Sequence, residues 1–442
     1  MKNYTTDKIR NVSFLGHRGS GKTSLVEALL FAGNVTSKMG SIEKGNTLSD
    51  YDDEEINRQF SINTSVISLD YQEKIFNILD TPGYFDFSGE VISALAVTGG
   101  AVIVLDASAG IEVGTEKAWR MVEERKLPRI LFINKMDKGA INYKKILLDL
   151  KEKFGKKVAP FCIPLGEGEN FEGFINVIEK KCRVFNGECC VDKELVPHED
   201  FEDVRNLLLE AVAETSEEAM EKFFNGEDFT EEEIKAGLRK GVINGDVVPV
   251  LVGSAANLIG VHTLFDMMFT YMPTPEESRG GVRYGTNPDT GEKVERIVST
   301  DEPFSAFVFK TIVDPFIGKI SLFKVVSGSL TRDMEVLNAS QGRKERIANL
   351  YFVRGIKQRE TERVVAGDIA ATTKIQDLKT GDTICDKSNP IVYSKVPFPK
   401  PCLYMNIIPV KKSDDDKIST AIQKLIEEDP SLNVINSKFK LH

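Results

Sequence analysis

A chain of 442 residues with 41% hydrophobic and 28% charged side chains can bury a substantial core and has room for roughly two to four domains. Its net charge of −10 excludes a generic nucleic-acid binder, so any RNA contact has to come from a local basic patch. Cys162, Cys182, Cys189, Cys190, Cys385 and Cys402 form no CxxC pair, and the four histidines (His17, His198, His262, His442) are scattered, which argues for reduced thiols and against a disulfide framework or a metal cluster.

The N-terminus, MKNYTTDKIRNVSFLGHRG, has no secretory apolar region. Residues 11–15 (NVSFL) read as a short buried strand. GHRGSGKTS follows, and then SLVEALLFAG, with Leu25, Ala28 and Leu29 at helical spacing and Gly33 as the stop. VISLDY, KIFNILD, AVIVLDA, RILFIN and VVPVLVG read as further strands, with helical patterns such as TEKAWRMVEERK between most of them. That alternation predicts a mainly parallel sheet covered on both faces.

The distance from Asn134 to Ser254 exceeds what a minimal nucleotide domain needs, so residues 160–245 read as an inserted α+β subdomain. Glu194–Lys235 holds fifteen Asp/Glu against three Lys/Arg, which is a solvated helix face or a docking face for a basic protein. Thr230–Glu233 has the form of a capping box. The longest uncharged run, Val247–Phe265, is broken by Pro249, Gly253, Ser254, Asn257 and His262, so it reads as strand, loop and helix start and not as a membrane span.

The first domain is expected over 1–278. Residues 279–300, rich in Gly, Pro and charge, read as a linker. Over 301–392, short strands separated by Gly and Asp turns predict an all-β barrel. From 393 to 442 a further domain begins. FPKPCLYMNIIPV is its strand, and Ser413–Asp416 caps a helix with Ile418, Ile422, Leu425 and Ile426 on one face, stopping near Asp429-Pro430.

Gly16-His17-Arg18-Gly19-Ser20-Gly21-Lys22-Thr23 matches G-x-x-x-x-G-K-[ST] between a strand and a helix. Glycines there let backbone N–H groups wrap phosphates at a helix N-terminus. Lys22 is expected on the β and γ phosphates and Thr23 on Mg²⁺. Asp80-Thr81-Pro82-Gly83 follows its own strand, with Asp80 expected in the Mg²⁺ shell and the Gly83 N–H on the γ phosphate. Asn134-Lys135-Met136-Asp137 reads guanine. The Asp137 carboxylate accepts from N1–H and the 2-amino group, a pair of donors that adenine lacks. Asn134 ties this loop to the phosphate loop, and the Lys135 stem covers the base. Gly253-Ser254-Ala255 is expected to turn backbone N–H groups to guanine O6. Four such elements in chain order on successive strands predict binding of GTP and GDP with Mg²⁺.

Together these residues resemble the translational GTPases, and most closely elongation factor G and its paralogues. DYDDEEINRQFSI is similar to the family's first switch, with Arg58-Gln59-Phe60-Ser61 where Arg-Gly-Ile-Thr is usual; Ser61 then replaces the threonine that meets Mg²⁺. DEPFSAFVFKTIVDPFIGKI, VVSGSLTRD and GRKERI resemble the second domain. FPKPCLYMNIIPV and KLIEEDPSLNV resemble the start of the third, which would be ferredoxin-like and incomplete at His442. The resemblance implies a monomeric cytoplasmic factor acting on ribosomal RNA and stalk proteins, with no membrane, and a chain that is either a fragment of a longer protein or a naturally short one, lacking the domains that drive translocation.

Three positions depart from the family pattern: Arg18 replaces an apolar gate residue, Gly19 an aspartate, and Tyr84 the histidine after DTPG. In the family that histidine orients the attacking water. A histidine (pKa ~6.5) can carry charge beside phosphate, whereas a tyrosine (pKa ~10) stays neutral but can still bond a water. Tyr84 and Arg18 are therefore the candidate catalytic residues. Arg18 can supply charge in cis, block the water, or swing to solvent. The readings left open are a slow, ribosome-stimulated GTPase, a GTP-regulated ribosome-binding factor with little turnover, and a ribosomal protection protein or class 3 release factor.

Overall fold

The structure, a computed structural model, describes residues 4–139, 141–314, 316–375, 377–401, 403–408, 411 and 415–435. Cys402, Ser413 and His442 lie outside them. The chain divides into two compact units, one of residues 1–281 with 353–357 and one of 282–352 with 358–442.

In the first unit the strands are β1 (Ile9–Leu15), β2 (Ser65–Tyr71), β3 (Lys74–Asp80), β4 (Gly100–Asp106), β5 (Arg129–Asn134) and β6 (Val158–Pro160). The helices among them are α1 (Lys22–Ala32), α2 (Asp53–Arg58), α3 (Ser88–Val97), α4 (Val113–Glu124) and α5 (Tyr143–Phe154). With the later β11 (Val248–Val252) the strand order is β2-β3-β1-β4-β5-β11-β6. Only the β2–β3 pair is antiparallel; every other neighbour is parallel. All seven residues of β1 and of β4 are buried, as a strand covered on both faces requires. Phe14, Leu25, Leu29, Ile78, Val104, Phe132 and Phe265 belong to the core. α1 ends at Gly33 as expected, but Gly33 has φ −81° and the left-handed residue is Asn34 (φ 57°), which asparagine tolerates.

Residues 161–247 are inserted between β6 and β11 and pack into the same core as the sheet. β7 (Cys162–Leu165), β8 (Gly173–Asn176), β9 (Lys181–Phe185) and β10 (Cys190–Glu194) make an antiparallel sheet. α6 (Phe201–Ala213), α7 (Glu217–Phe224) and α8 (Glu231–Asn244) follow. α8 opens with the expected capping box: Glu233 N donates to Thr230 Oγ1 (3.2 Å) and Thr230 N to Glu233 Oε2 (2.7 Å). After β11, α9 (Val261–Tyr271) packs on α1.

The second unit begins with a difference from the sequence reading. Within the expected linker, β12 (Val282–Thr286) and β13 (Lys293–Ile297) form an antiparallel hairpin. Asn287 caps its tip by accepting from Asp289 N and Thr290 N. The Gly, Pro and charge content belongs to that tip, and the short runs on either side are strands. β14 (Ser305–Asp314), β15 (Gly318–Ser327), β16 (Ser329–Thr331), β17 (Glu335–Asn338), β18 (Arg343–Arg346), β19 (Tyr351–Arg354), β20 (Lys357–Glu360), β21 (Arg363–Val365), β22 (Ile369–Thr373), β23 (Thr383–Cys385) and β24 (Val392–Tyr393) follow. β18-β17-β23-β14-β15-β22 lie side by side, and β24 joins the β12–β13 hairpin.

The strand expected over FPKPCLYMNIIPV is absent from its described residues. Leu403 is 75% exposed and Ile408 80%, so this apolar run has no sheet to face. α10 (Asp415–Glu428) forms, with Ile418, Ile422 and Ile426 half-buried and Leu425 exposed. Its Glu428 accepts from Val313 N at 2.7 Å. Among the described residues no helix is long and apolar enough to cross a membrane.

Candidate nucleotide site

The C-terminal ends of β1, β3, β5 and β11 deliver all four expected elements to one edge of the sheet. The phosphate loop is shaped by Gly16 (φ 144°) and Gly21 (φ 89°). A Cβ on Gly16 would lie 2.2 Å from Val104 O, and one on Gly21 2.4 Å from Asn134 Nδ2, so no side chain fits at either position. The Gly19 backbone also has positive φ (82°), which favours glycine over the family's usual aspartate. Lys22, buried at the start of α1, donates to Gly16 O and His17 O, both at 3.1 Å. Burial lowers its ammonium to about 8, opposed by the charges of Asp80, Asp50 and Glu112. The His17 ring lies 3.3 Å from Glu112 and accepts from Gly114 N.

Thr23 Oγ1 and Ser61 Oγ lie 3.2 Å apart, so the structure brings together the two hydroxyls expected to meet the cation. Asp80 is fully buried and neither of its oxygens has a hydrogen-bond partner among the described residues. Burial pushes its carboxyl up to about 6, with the Lys22 charge pulling against that. Asp50 is a member of the site that the sequence does not single out. It is buried with Oδ2 unpaired, and burial and then the Asp80 charge push it up to about 7. One carboxylate within the acidic run SDYDDEE carries no local signal that sets it apart. Unpaired buried oxygens beside hydroxyls are the hard donor set that suits Mg²⁺, so these residues fit the ion.

Gly83 closes over the loop. A Cβ there would lie 2.6 Å from Lys22 Nζ and 2.9 Å from Arg18 N. Beyond it Tyr84 meets Phe60 edge-on, with ring centroids 4.6 Å apart, and the Arg18 guanidinium lies over the Tyr84 ring at 4.7 Å and near Phe60 at 5.9 Å. Arg18 is exposed and stacked on the Tyr84 ring. Phe60 is the third member of this cluster.

On the guanine side, Asn134 Nδ2 donates to Ser20 O (3.0 Å) and its Oδ1 accepts from Ala255 N (3.0 Å). One side chain thus joins three loops, as expected for the tie to the phosphate loop. Lys135 Nζ reaches Gly19 O (2.5 Å) and Asp106 Oδ2 (2.6 Å). Burial pushes Asp106 up, but the hydrogen bonds from Lys135 and Ser108 outweigh it and hold the carboxyl low. The Asp137 loop is braced by Met136, whose N–H donates to Gly253 O and whose carbonyl accepts from Gly168 N, both at 3.2 Å. Asp137 Oδ1 is buried with no partner among the described residues. Gly253 N donates to Ile133 O, Ser254 N to Ile259 O and Ala255 N to Asn134 Oδ1. All three amides are engaged within the protein, and through Ala255 this loop braces Asn134.

The first switch is held by carboxylates. Glu27 accepts from Gly40 N (3.2 Å) and Leu48 N (2.6 Å). Glu55, at N3 of α2, accepts from Ile62 N and Asn63 N, both at 2.9 Å, and closes a capping box with Asp52. Burial pushes Glu55 from 4.5 up to about 7, against the pull of those N–H groups and with a push from Asp50. A raised folded value means that the fold holds this proton more tightly than the unfolded chain does. Its contribution to stability is then full below about 4.5 and lost as pH rises through about 7. In metal-chelated, nucleotide-free protein the melting temperature is expected to fall across that window, and Glu55→Gln to flatten the fall; parallel profiles for the two proteins would refute the assignment.

Residues 7–274 match the elongation factor Tu GTP binding domain, residues 303–387 match elongation factor G domain 2, and residues 398–438 match elongation factor G domain III. A crystal structure of a protein from Thermus thermophilus is similar, with a TM-score of 0.84 and 32% identity, over 98% of this chain and 62% of that one. The present chain therefore spans less than two thirds of that protein's length.

Proposed function

The chain belongs to the elongation factor G-like translational GTPases, and on that premise we propose that it binds GTP with Mg²⁺ and hydrolyses it slowly alone and faster on the ribosome. The observation that carries the guanine assignment is the buried, unpaired Oδ1 of Asp137 on a braced loop. A carboxylate oxygen left without a donor costs free energy, and guanine N1–H and its amino group supply the missing donors. Lys22 meets phosphate charge from within the loop. Thr23, Ser61, Asp80 and Asp50 would hold Mg²⁺, which when bound neutralises phosphate charge. The Tyr84 hydroxyl positions the attacking water. Phosphate release in single turnover, with and without ribosomes, tests the proposal; no stimulation by ribosomes would sink it.

A second reading, a GTP-regulated ribosome-binding factor with little turnover, is favoured by one observation. Arg18, Tyr84 and Phe60 stack on one another, and a stack that stays shut keeps water from the γ phosphate. The proposed setting is cytoplasmic, as a monomer on ribosomal RNA and stalk proteins.

RNA contact is assigned to the second unit. Between Gln341 and Arg363 there are seven Lys/Arg against three Glu; of the seven, Arg354 and Lys357 fall in the first unit. Arg343 already pairs with Asp377 (2.5 Å) and Arg346 with Asp333 (2.9 Å), which leaves exposed Lys344, with no ion pair among the described residues, as the readiest partner for a phosphate. Reversing Arg343, Lys344 and Arg346 to Glu is expected to weaken ribosome association and to lower its salt slope by about 1 for each phosphate no longer neutralised. Unchanged binding across a salt series would remove the patch from consideration.

A further inference from the structure

Thr64 lies between Ser61 and the start of β2. Its N–H donates to Glu90 Oε2 at 2.6 Å, and its hydroxyl donates to the Glu90 carbonyl at 3.2 Å. Thr64 is buried. Glu90 is the third residue of α3, the helix that follows DTPG. A glutamate at that position ordinarily folds back to the N–H of its own N-cap residue. Here the N-cap residue is Phe87, whose N–H is taken by Tyr84 O at 3.3 Å, and α3 has no side-chain cap. The turn made by Tyr84 thus releases the Glu90 carboxylate to reach Thr64. The next residue, Ser65, lies opposite Asp80 in the β2–β3 register, so the bridge runs beside the cation site without entering it.

We infer that Glu90 is a positioning residue that couples the two switches: it ties the segment that senses the γ phosphate, Gly83-Tyr84, to the segment that carries Ser61. The path runs from Gly83 and Tyr84 along the first turn of α3 to Glu90, across to Thr64, and three residues back to Ser61 beside Thr23. Movement of the DTPG segment on loss of the γ phosphate then pulls on the end of the first switch directly, and Glu90 does so without touching nucleotide. A charge-assisted hydrogen bond from a buried N–H is the strong kind, and a two-point attachment fixes both position and direction.

This inference rests on the GTP-binding reading above, and the test separates the two. Arg58 is exposed at the end of α2, so tryptic cleavage there reports the first switch; amide exchange over residues 60–66 reports it independently. Both are measured on the whole chain with GDP or a non-hydrolysable GTP analogue, beside a titration of each nucleotide. In the wild type the analogue is expected to slow cleavage and exchange relative to GDP. In Glu90→Ala that difference should shrink roughly tenfold or more, the scale of one charged hydrogen bond, with GDP affinity unchanged. Glu90→Gln, which still offers an acceptor oxygen, should keep part of the difference and guards against a folding defect in the alanine variant. A Glu90→Ala protein that binds both nucleotides and keeps the full difference would overturn the coupling while leaving the GTP-binding reading intact. A wild type that binds neither nucleotide would overturn both.

Discussion

Asp137→Asn is expected to weaken GTP binding by roughly 10²- to 10⁴-fold, because one hydrogen bond to the carboxylate becomes a donor–donor clash and the other loses its charge, and to shift preference towards xanthosine nucleotides. The wild-type carboxylate has an unpaired buried oxygen, and both donors of guanine's Watson–Crick edge suit it. An asparagine amide keeps one acceptor, for N1–H, and replaces the other with a donor. That donor opposes the 2-amino group of guanine and matches the 2-oxygen of xanthine. The loop itself should not change, because its braces run through the Met136 backbone and not through the carboxylate. Binding titrations with GTP, XTP and ATP on both proteins, with melting temperature as a control for folding, decide the matter. Equal GTP and ATP affinity in the wild type would end the guanine assignment.

Tyr84→Phe is expected to cut ribosome-stimulated hydrolysis by ~10²–10⁴-fold, the range for a positioned catalytic group, while GTP affinity stays near wild type. The structure makes this a clean comparison. Both contacts of Tyr84, with Phe60 and with Arg18, are made by the ring, so the substitution removes only the hydroxyl. Tyr84→His should preserve or raise the stimulated rate if a potential charge at this position assists. The Arg18 guanidinium stacked there opposes an imidazolium, so any gain should grow when Arg18→Ala is added. Full single-turnover activity in Tyr84→Phe would make the tyrosine a spacer and move the catalytic role to Arg18 or to a ribosomal group.

The parts of this site that are legible in the sequence are those whose chemistry is local. Gly16 and Gly21 are required by backbone conformation and by the absence of room for a Cβ, and a strand–loop–helix pattern announces both. Asn134 and Asp137 follow a run of apolar residues that can only be a buried strand. What stays hidden depends on distant segments meeting. Asp50 and Glu90 are single acidic residues in ordinary contexts, and only the packed fold puts one beside Asp80 and the other on Thr64. The location of the Ser254 and Ala255 amides is readable in the sequence, but their partners within the protein, Ile259 O and Asn134 Oδ1, are not. Composition misleads at 279–300, where a polar hairpin tip outweighs two short strands, and at 403–408, where an apolar run alone cannot show whether a sheet lies alongside.

The acidic subdomain leaves the nucleotide sheet after β6 and returns at β11, two strands that are themselves paired, with Val158 opposite Val248 and Pro160 opposite Val250. From the spacing of paired strands, its two attachment points lie roughly 8 Å apart. The closure entropy of a connection grows only as the logarithm of its length, about 0.6 kcal/mol per doubling, so the sheet is nearly indifferent to how much chain is threaded between those points. The acidic helices that follow β10 can therefore lengthen, shorten or change their surface without moving the β6 and β11 attachment points, whereas Gly168, whose N–H bonds Met136 O beside Asp137, is the part of the insertion that the nucleotide site holds in place.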